Sequence, residues 1–185
     1  GKTIQTLVGK DANRQYVTLD QIPVNLQNAF IAIEDERFYS HHGVDFQGIL
    51  RAFALGLANG GHFSQGASTL TQQLLKNQVF EGGEEKTILG RFQRKIQEQY
   101  LAIQLEKHYS KQQILEYYLN TINLGQNTLG VQAASKRYFN KSVSELSLSE
   151  CAVLAGITQN PSAYNPITHA SANSKTRTTV ITYMK

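Results

Sequence analysis

The sequence lacks the features that define several large classes of protein. Its single cysteine, Cys151, excludes a disulfide within the chain, and the apolar run around it favours a buried structural thiol over a catalytic one. No apolar run approaches the roughly 20 residues that span a bilayer, since the best one, residues 52–58, is interrupted by Gly56. A glycine-rich phosphate loop, histidine pairs at zinc-site spacing and internal repeats are also missing.

The composition is that of an ordinary globular protein with a basic balance. The 185 residues are 41% hydrophobic and 17% charged, which suits one well-buried domain. The formal net charge of +4 favours an anionic partner, such as nucleic acid, an anionic membrane surface or a phosphorylated substrate. The chain starts and stops within patterned segments and has no signal-like segment, so we expect it to be excised from a longer protein.

Apolar residues at helical spacing predict a mainly α-helical protein after Pro23. The predicted helices cover about 23–38, 45–59, 68–77, 87–108, 111–120, 131–139 and 169–185, with one more opening at Ser147. Before them, residues 2–8 and 16–19 are rich in β-branched and aromatic residues, which predicts a short β-hairpin or extension. Glycine-rich breaks fall at 59–68 and 79–86.

Residues 34–43 concentrate reactive side chains, with three carboxylates, an arginine, two aromatic residues and two histidines. If the preceding helix persists through them, one face carries Glu34, Arg37, Phe38 and His41. A charged helix end, in which Glu34 and Arg37 are ordinary neighbours three residues apart, explains this pattern as well as a functional site does.

The helix predicted at 87–108 carries a second cluster. A sector of roughly 100° of its circumference holds Arg91, Arg94, Lys95 and Glu98. A half-enclosed carboxylate flanked by three cations is typical of a binding site. An Arg94–Glu98 pair on the surface, in contrast, would contribute only about 0.2–0.5 kcal/mol. Taken alone, the pattern favours the surface pair.

Residues 66–77 combine leucines with a string of hydroxyl, amide and lysine side chains. An amphipathic helix explains the leucines but not the polar string, which includes Gln73, Lys76 and Asn77. The free backbone amides at 68–71, where this helix starts, form a natural seat for an anion.

Four motifs in order carry a family resemblance. They are EDERFYSHHG at 34–43, GASTLTQQLLKN at 66–77, RKIQE at 94–98 and KQQILEYYLN at 111–120. With them, the sequence from about Leu19 onwards resembles the peptidoglycan glycosyltransferase domain of bacterial class A penicillin-binding proteins, the target of moenomycin.

The resemblance implies a single domain over residues 1–185. Its fold would be mainly α-helical, with a lysozyme-like helical lobe and a smaller, membrane-apposed jaw lobe. The jaw lobe would include about 78–93, and residues 1–20 would form an N-terminal extension.

The resemblance also implies a reaction, the polymerisation of lipid II into β-1,4 glycan strands with inversion and release of undecaprenyl pyrophosphate. Such a transfer needs a base for the acceptor 4-hydroxyl and positive charge for the departing pyrophosphate. By motif position, Glu34 is the expected base. Glu98 is expected to assist the donor side, directly or through a divalent cation such as Mg or Mn, with no cofactor obligatory.

Further roles follow from the same motif positions. Asp35, Phe38 and His41 are expected to support the base, and Arg37 to hold it ionised. The residues expected to bind the substrate and its pyrophosphate are Ser68, Gln73, Lys76, Asn77, Arg94 and Lys95, with either Lys86 or Arg91 supplying a further cation.

The implied partners are lipid II, the growing lipid-linked glycan and the bacterial plasma membrane, but not nucleic acid. A preceding transmembrane helix, absent from this chain, would anchor the protein on the outer face of that membrane, and a transpeptidase domain would be linked to it. Residues 59–68 are expected to form a mobile flap over the donor site.

Two other functions remain open at this point. A lysozyme-like glycan hydrolase also places a carboxylate beside a glycosidic bond, but a neutral leaving group would not require the cations Lys76, Arg94 and Lys95. A non-catalytic basic module would bind a membrane or nucleic acid, although the sequence shows no recognised nucleic-acid motif.

Overall fold

The computed structural model of the protein describes residues 14–60, 67–80, 87–126 and 128–185, which form eight α-helices. In chain order these are α1 (Val24–Glu34), α2 (Phe46–Ala58), α3 (Leu70–Gln78), α4 (Ile88–His108), α5 (Lys111–Thr121), α6 (Val131–Phe139), α7 (Leu148–Ile157) and α8 (Ala170–Tyr183). Two 3₁₀ helices, Leu19–Gln21 and Val143–Glu145, precede α1 and α7. The prediction of a mainly α-helical protein is confirmed.

Reciprocal side-chain caps begin several of these helices. At α3, the Thr69 hydroxyl accepts from the Gln72 N–H and the Gln72 side chain accepts from the Thr69 N–H, both at 3.2 Å. Ser147 and Glu150 form the same arrangement at α7. Each such box satisfies two backbone donors that the helix itself leaves unpaired, which is why the sequence located these starts.

The largest departure from the predicted helices is the end of α1, which stops at Glu34 rather than near Phe38. Turn hydrogen bonds follow, from the Phe38 N–H to the Asp35 carbonyl at 2.8 Å and from the Ser40 N–H to the Arg37 carbonyl at 2.7 Å. The helical face expected for residues 34–41 therefore does not form. The local cause is Asp35, whose buried side chain bonds to groups outside α1.

Arg37 consequently has a different carboxylate partner from the one expected. Its Nη2 lies 2.6 Å from Asp45 Oδ2, while Asp45 Oδ1 accepts from the Gly48 N–H at the start of α2. Burial would raise the pKa of Asp45, but the hydrogen bonds from Arg37 and from the Gly48 N–H outweigh it and lower that pKa. Arg37 therefore orders the start of α2 through Asp45, and its expected effect on Glu34 stays a prediction.

The chain divides into two compact units, and the boundaries fall within α1 and α5. The central unit is Phe30–Tyr118, and the terminal unit is Gly1–Ala29 together with Leu119–Lys185. All of the predicted site residues belong to the central unit.

The terminal unit is built around α7, which is buried on most of its circumference and packs against α8. A Cβ at Gly156 would lie 3.0 Å from the Thr176 methyl group, so the two helices approach closely. Cys151 is fully buried in α7, and burial raises the pKa of its thiol to about 11. This setting agrees with the predicted structural thiol.

The predicted N-terminal hairpin lies largely outside the described residues, since 2–8 are not among them. Residues 16–19 are described and form no strand. Instead, the Val17 N–H and carbonyl bond to the two ends of the Asn120 side-chain amide, at 2.9 and 2.8 Å. In the described part of the chain, β pairing is limited to one isolated bridge between Asn123 and Leu129.

The central unit positions the candidate site through the contact of α3 with α4 and through one glycine. Gly43 has φ +86°, and a Cβ there would lie 2.5 Å from the Ala102 backbone in α4. Its carbonyl accepts from the Thr69 hydroxyl at 2.7 Å, just before α3. A side chain cannot enter this contact without moving backbone, so the segment 34–43 is fixed against both helices.

Two helices of the central unit expose large apolar side chains. On α2 these include Phe46, Leu50, Phe53 and Leu57, and on α4 they include Ile88, Leu89, Phe92 and Ile96. Exposed apolar surface of this kind marks an interaction or membrane surface. Among the described residues, no helix combines the length and apolarity needed to cross a membrane. The jaw lobe stays a prediction, because 81–86 lie outside the described residues.

Candidate active site

Glu34 is the last residue of α1 and is half-buried. Its Oε2 accepts from the side-chain amide of Gln73 in α3 at 2.8 Å. The carbonyl oxygen of that amide accepts in turn from the Tyr118 hydroxyl at 3.2 Å. The proposed base is therefore held by a neutral amide, which stabilises a carboxylate without neutralising its charge.

Tyr118 is fully buried in α5, with its ring edge-on to Phe30 at 6.1 Å. Burial, together with the negative charges of Glu34 and Asp35, raises the pKa of Tyr118 well above its ordinary value. The phenol therefore stays protonated and acts as a donor towards Gln73.

Asp35 is buried behind the base and ties the turn after α1 to the start of α3. Its Oδ2 accepts from the Leu70 N–H at 2.9 Å, and both oxygens lie 3.0 Å from His41 Nε2. A carboxylate at a helix start satisfies an unpaired backbone donor and a favourable dipole end. Asp35 thus fixes where α3, and with it Gln73, lies.

The other ring nitrogen of His41 faces Lys111, a residue to which sequence reasoning gave no role. Lys111 Nζ lies 3.4 Å from His41 Nδ1, 4.4 Å from the Phe38 ring centroid and 2.8 Å from Glu106. Because an ammonium group only donates, Nδ1 is the acceptor and Nε2 carries the proton that bonds to Asp35.

Glu106 completes this buried support, since it also accepts from the Thr71 hydroxyl at 2.5 Å. Lys111 and Glu106 could not be found from spacing, because the residues they serve lie in distant motifs. The one available signal was the position of Lys111 at the start of the fourth motif.

The second carboxylate, Glu98, is fully buried in α4. Its Oε1 accepts from Arg94 and its Oε2 accepts from Lys95 at 3.0 Å. Lys95 also donates to the Ser68 hydroxyl at 2.7 Å. The prediction from the helical pattern, an Arg94–Glu98 pair on the surface, is therefore wrong. A buried ion pair gives little net stability, and a binding role for this cluster stays a prediction.

The remaining predicted side chains differ in how they are placed. Lys76 is half-buried at the last turn of α3, while Asn77 and Arg91 are exposed. Across 14–60, 67–80, 87–126 and 128–185, neither Lys76 nor Arg91 has an ion-pair partner. Lys86 lies outside the described residues, so the choice between it and Arg91 stays open.

A divalent cation at Glu98 stays a prediction that the described residues do not fit. Both carboxylate oxygens accept from cationic side chains, and a metal ion would face Arg94 and Lys95 across the same group. Within the part of the chain that the structure describes, no cluster of three or more potential ligands is present.

The beginning of α3 joins the two carboxylates into one site. Ser68, just before the helix, bonds to Lys95 on the Glu98 side, and Gln73, in its first turns, bonds to Glu34. The anion seat predicted on the intervening backbone is wrong for two of its amides, because the Thr69 N–H bonds to the Gln72 side chain and the Leu70 N–H bonds to Asp35. One short stretch therefore contacts both the candidate base and the cationic cluster.

A family model described as Transglycosylase matches residues 1–185. Penicillin-binding protein 1A of Clostridium botulinum is 53% identical over 164 residues, which is 86% of this chain. The chain belongs to the transglycosylase family. The resemblance to the glycosyltransferase domain of class A penicillin-binding proteins is thereby confirmed, and with it a glycosyltransferase at the level of the family.

Two further matches support the assignment to the transglycosylase family. Penicillin-binding protein 1A of Escherichia coli K12 is 52% identical over 82% of this chain. A crystal structure of penicillin-binding protein 1A from Haemophilus influenzae superposes with a TM-score of 0.53 and 26% identity over 96% of this chain. The chain spans 19% of the length of the C. botulinum relative and 16% of the H. influenzae chain.

Proposed function

We propose that this transglycosylase domain polymerises lipid II into β-1,4 glycan strands, with inversion and release of undecaprenyl pyrophosphate. The observation that carries the proposal is the opposite setting of two carboxylates beside α3. Glu34 is half-buried and bonded to a neutral amide, while Glu98 is buried between two cations. A base and an anion-binding cluster are the two things that the transfer requires.

In this reaction Glu34 accepts the proton of the acceptor 4-hydroxyl. The oxygen attacks the anomeric carbon of the donor, and the bond from that carbon to the pyrophosphate oxygen breaks. The electron pair of the broken bond leaves with the pyrophosphate. A single displacement of this kind inverts the anomeric centre, and it needs no covalent bond to the enzyme.

The departing pyrophosphate develops negative charge that Arg94, Lys95 and Lys76 stabilise. Glu98 keeps Arg94 and Lys95 in place from the buried side, so the cations are preorganised before the charge develops. Ser68 orients Lys95, and Gln73 and Asn77 hold the substrate. No step of this mechanism requires a metal ion.

We place the domain on the outer face of the bacterial plasma membrane. The exposed apolar side chains of α2 and of the first half of α4 suit contact with a lipid surface, where an undecaprenyl-linked substrate resides. A preceding transmembrane helix and a linked transpeptidase domain belong to the same proposal, supported by the greater length of the relatives.

The test is polymerisation of purified lipid II in detergent by the protein and two variants. We expect long glycan and release of undecaprenyl pyrophosphate from the native protein, and a loss of about 10²- to 10⁴-fold in Glu34→Gln. Glu36→Gln is the matched control, because this neighbouring carboxylate is exposed and pairs only loosely with Arg51. Polymer at the native rate from Glu34→Gln would reject the assigned base.

The same assay separates the alternative functions. A hydrolase would release reducing ends from preformed glycan without forming polymer. A basic nucleic-acid module would bind DNA in a salt-dependent manner and leave lipid II unchanged. Competition by moenomycin for polymerisation supports the proposed donor site, and polymerisation that is insensitive to it counts against that site.

A further inference from the structure

We infer that Tyr118 is a positioning residue for the base, acting through the orientation of the Gln73 side-chain amide. The inference rests on the proposed role of Glu34. It concerns a fully buried residue in α5 whose hydroxyl bonds to Gln73 at 3.2 Å.

An amide side chain has two different ends, and only one of them suits a carboxylate. The NH₂ group of Gln73 donates to Glu34 at 2.8 Å. Rotating the amide by half a turn would place its carbonyl oxygen against the carboxylate oxygen, which is repulsive when Glu34 is ionised. The orientation of Gln73 therefore decides whether it stabilises or destabilises the ionised base.

Tyr118 supports the favourable orientation because its buried hydroxyl donates to the Gln73 carbonyl oxygen, which leaves the NH₂ group to face Glu34. In a rotated amide the NH₂ group would donate to the phenol oxygen, but the carbonyl oxygen would then face the carboxylate. Burial of the phenol keeps it protonated and thus a donor, as its raised pKa indicates. The edge-on contact with the Phe30 ring fixes where the hydroxyl lies.

Tyr118→Phe tests the inference, because it removes the hydroxyl and keeps the ring. Without the donor, the Gln73 amide populates both orientations, and ionised Glu34 is less stable. We expect the acid limb of the pH profile of kcat/KM to move up by about half a unit to one unit. Below that limb, the loss in rate should be roughly threefold to tenfold, with a smaller loss at high pH.

Other ionisable groups near this chain of hydrogen bonds keep their partners in the variant. Asp35 acts on Tyr118 through its charge, as Glu34 does. Beyond Asp35 lie His41 and Lys111, whose bonds do not involve the phenol. A moved acid limb therefore reports on the Glu34–Gln73 contact rather than on these groups.

A double-mutant cycle separates positioning from packing. In a Gln73→Met background there is no amide to orient, so adding Tyr118→Phe should leave the acid limb where Gln73→Met alone places it. Equal shifts in both backgrounds would overturn the inference. Tyr117→Phe is the matched control, since it removes the hydroxyl of a half-exposed neighbour whose ring packs on Tyr109, and we expect no shift.

A second readout does not depend on activity. In ¹⁵N NMR spectra the Gln73 side-chain NH₂ gives two proton signals, because rotation about the amide C–N bond is slow. Tyr118→Phe should broaden both signals and move them towards the positions of a solvated amide. Unchanged signals would overturn the inference even if the base is correct. Full activity of Glu34→Gln would instead reject the proposed function and leave the NMR result standing.

Discussion

The two carboxylates beside α3 are the same chemical group in opposite surroundings. Glu34 lies at the end of α1, half-buried, with a neutral amide on one oxygen. Glu98 lies in the middle of α4, fully buried, with a cation on each oxygen. The contact of Glu34 with a neutral amide leaves the charge of this carboxylate in place, whereas the charge of Glu98 is neutralised by its two cationic neighbours.

The surroundings of the two carboxylates indicate which of them can act as a base. Both oxygens of Glu98 already accept from Arg94 and Lys95 in a buried position that leaves no access for a sugar hydroxyl, but the carboxylate fixes those two cations. We therefore expect Glu34 variants to lose catalytic rate, and Glu98 variants to lose folding stability in addition to rate.

The largest effect is expected from Glu98→Gln. The substitution leaves two partly buried cations without a countercharge, and the free energy of unfolding should fall by about 3 kcal/mol. Glu34→Gln makes the same substitution at a half-buried residue whose Oε2 accepts from the neutral Gln73 amide, so its cost should stay below about 1 kcal/mol. Denaturant unfolding of both variants measures the difference. Equal losses of unfolding free energy would contradict the proposed difference between the two carboxylates.

Gly43→Ala should lower the free energy of unfolding by about 2 kcal/mol, because it disturbs the contact that positions both carboxylates. The backbone at Gly43 has φ +86°, and the new methyl group would meet the Ala102 backbone. Gly60→Ala is the matched control, because Gly60 also has a positive φ (+67°) but none of the described residues lies within 4 Å of the added Cβ. Thermal unfolding compares them, and similar shifts would show that φ alone matters.

Ser68→Ala should weaken donor binding alone. It removes one acceptor from Lys95 while the Glu98 pair remains, so the donor KM should rise by about fivefold with kcat little changed. Ser40→Ala removes an exposed hydroxyl in the same unit and serves as the control. A fall in kcat without a change in KM would place Ser68 in the chemistry instead.

The smallest effect is expected at Glu150, a third paired carboxylate that lies outside the site. The Lys141 ammonium at 2.8 Å and the Ser147 hydrogen bonds lower the pKa of Glu150 from 4.5 to about 2. Its ionised form therefore stabilises the fold above pH 4.5, and this contribution is lost between pH 4.5 and 2.

Because the partner Lys141 is 44% exposed and water screens the pair, we expect the contribution of Glu150 to be at most about 1 kcal/mol. Glu150→Gln should lower stability slightly at neutral pH and flatten the acid branch of the stability curve. Unfolding measured from pH 6 to pH 3, with the native protein beside it, checks this. A large loss at neutral pH would mean that exposed pairs in this fold matter as much as buried ones.

Local signals in the sequence predicted the helices and their starts well. The capping box at Ser147 and apolar spacing are local properties, so they can be recognised without knowing the fold. The candidate site residues came from the four motifs through the family resemblance, and their roles stay a prediction.

What the sequence could not predict depends on contacts between distant residues. α1 ends at Glu34 because Asp35 bonds to Leu70 and His41. The burial of Glu98 depends on how α3 packs against α4, and helical periodicity alone favoured the surface. Lys111 supports His41 from 70 residues away, a separation that no window of sequence covers.

The central claim, that Glu34 performs the chemistry while the Glu98 cluster holds the pyrophosphate, has one direct test. The single-turnover rate of glycan joining by Glu34→Gln should be measured with donor and acceptor at saturation, beside its affinity for undecaprenyl pyrophosphate. The account predicts a rate at least about 100-fold below native, with affinity within twofold of native. A near-native rate, or an affinity that falls with the rate, would contradict it.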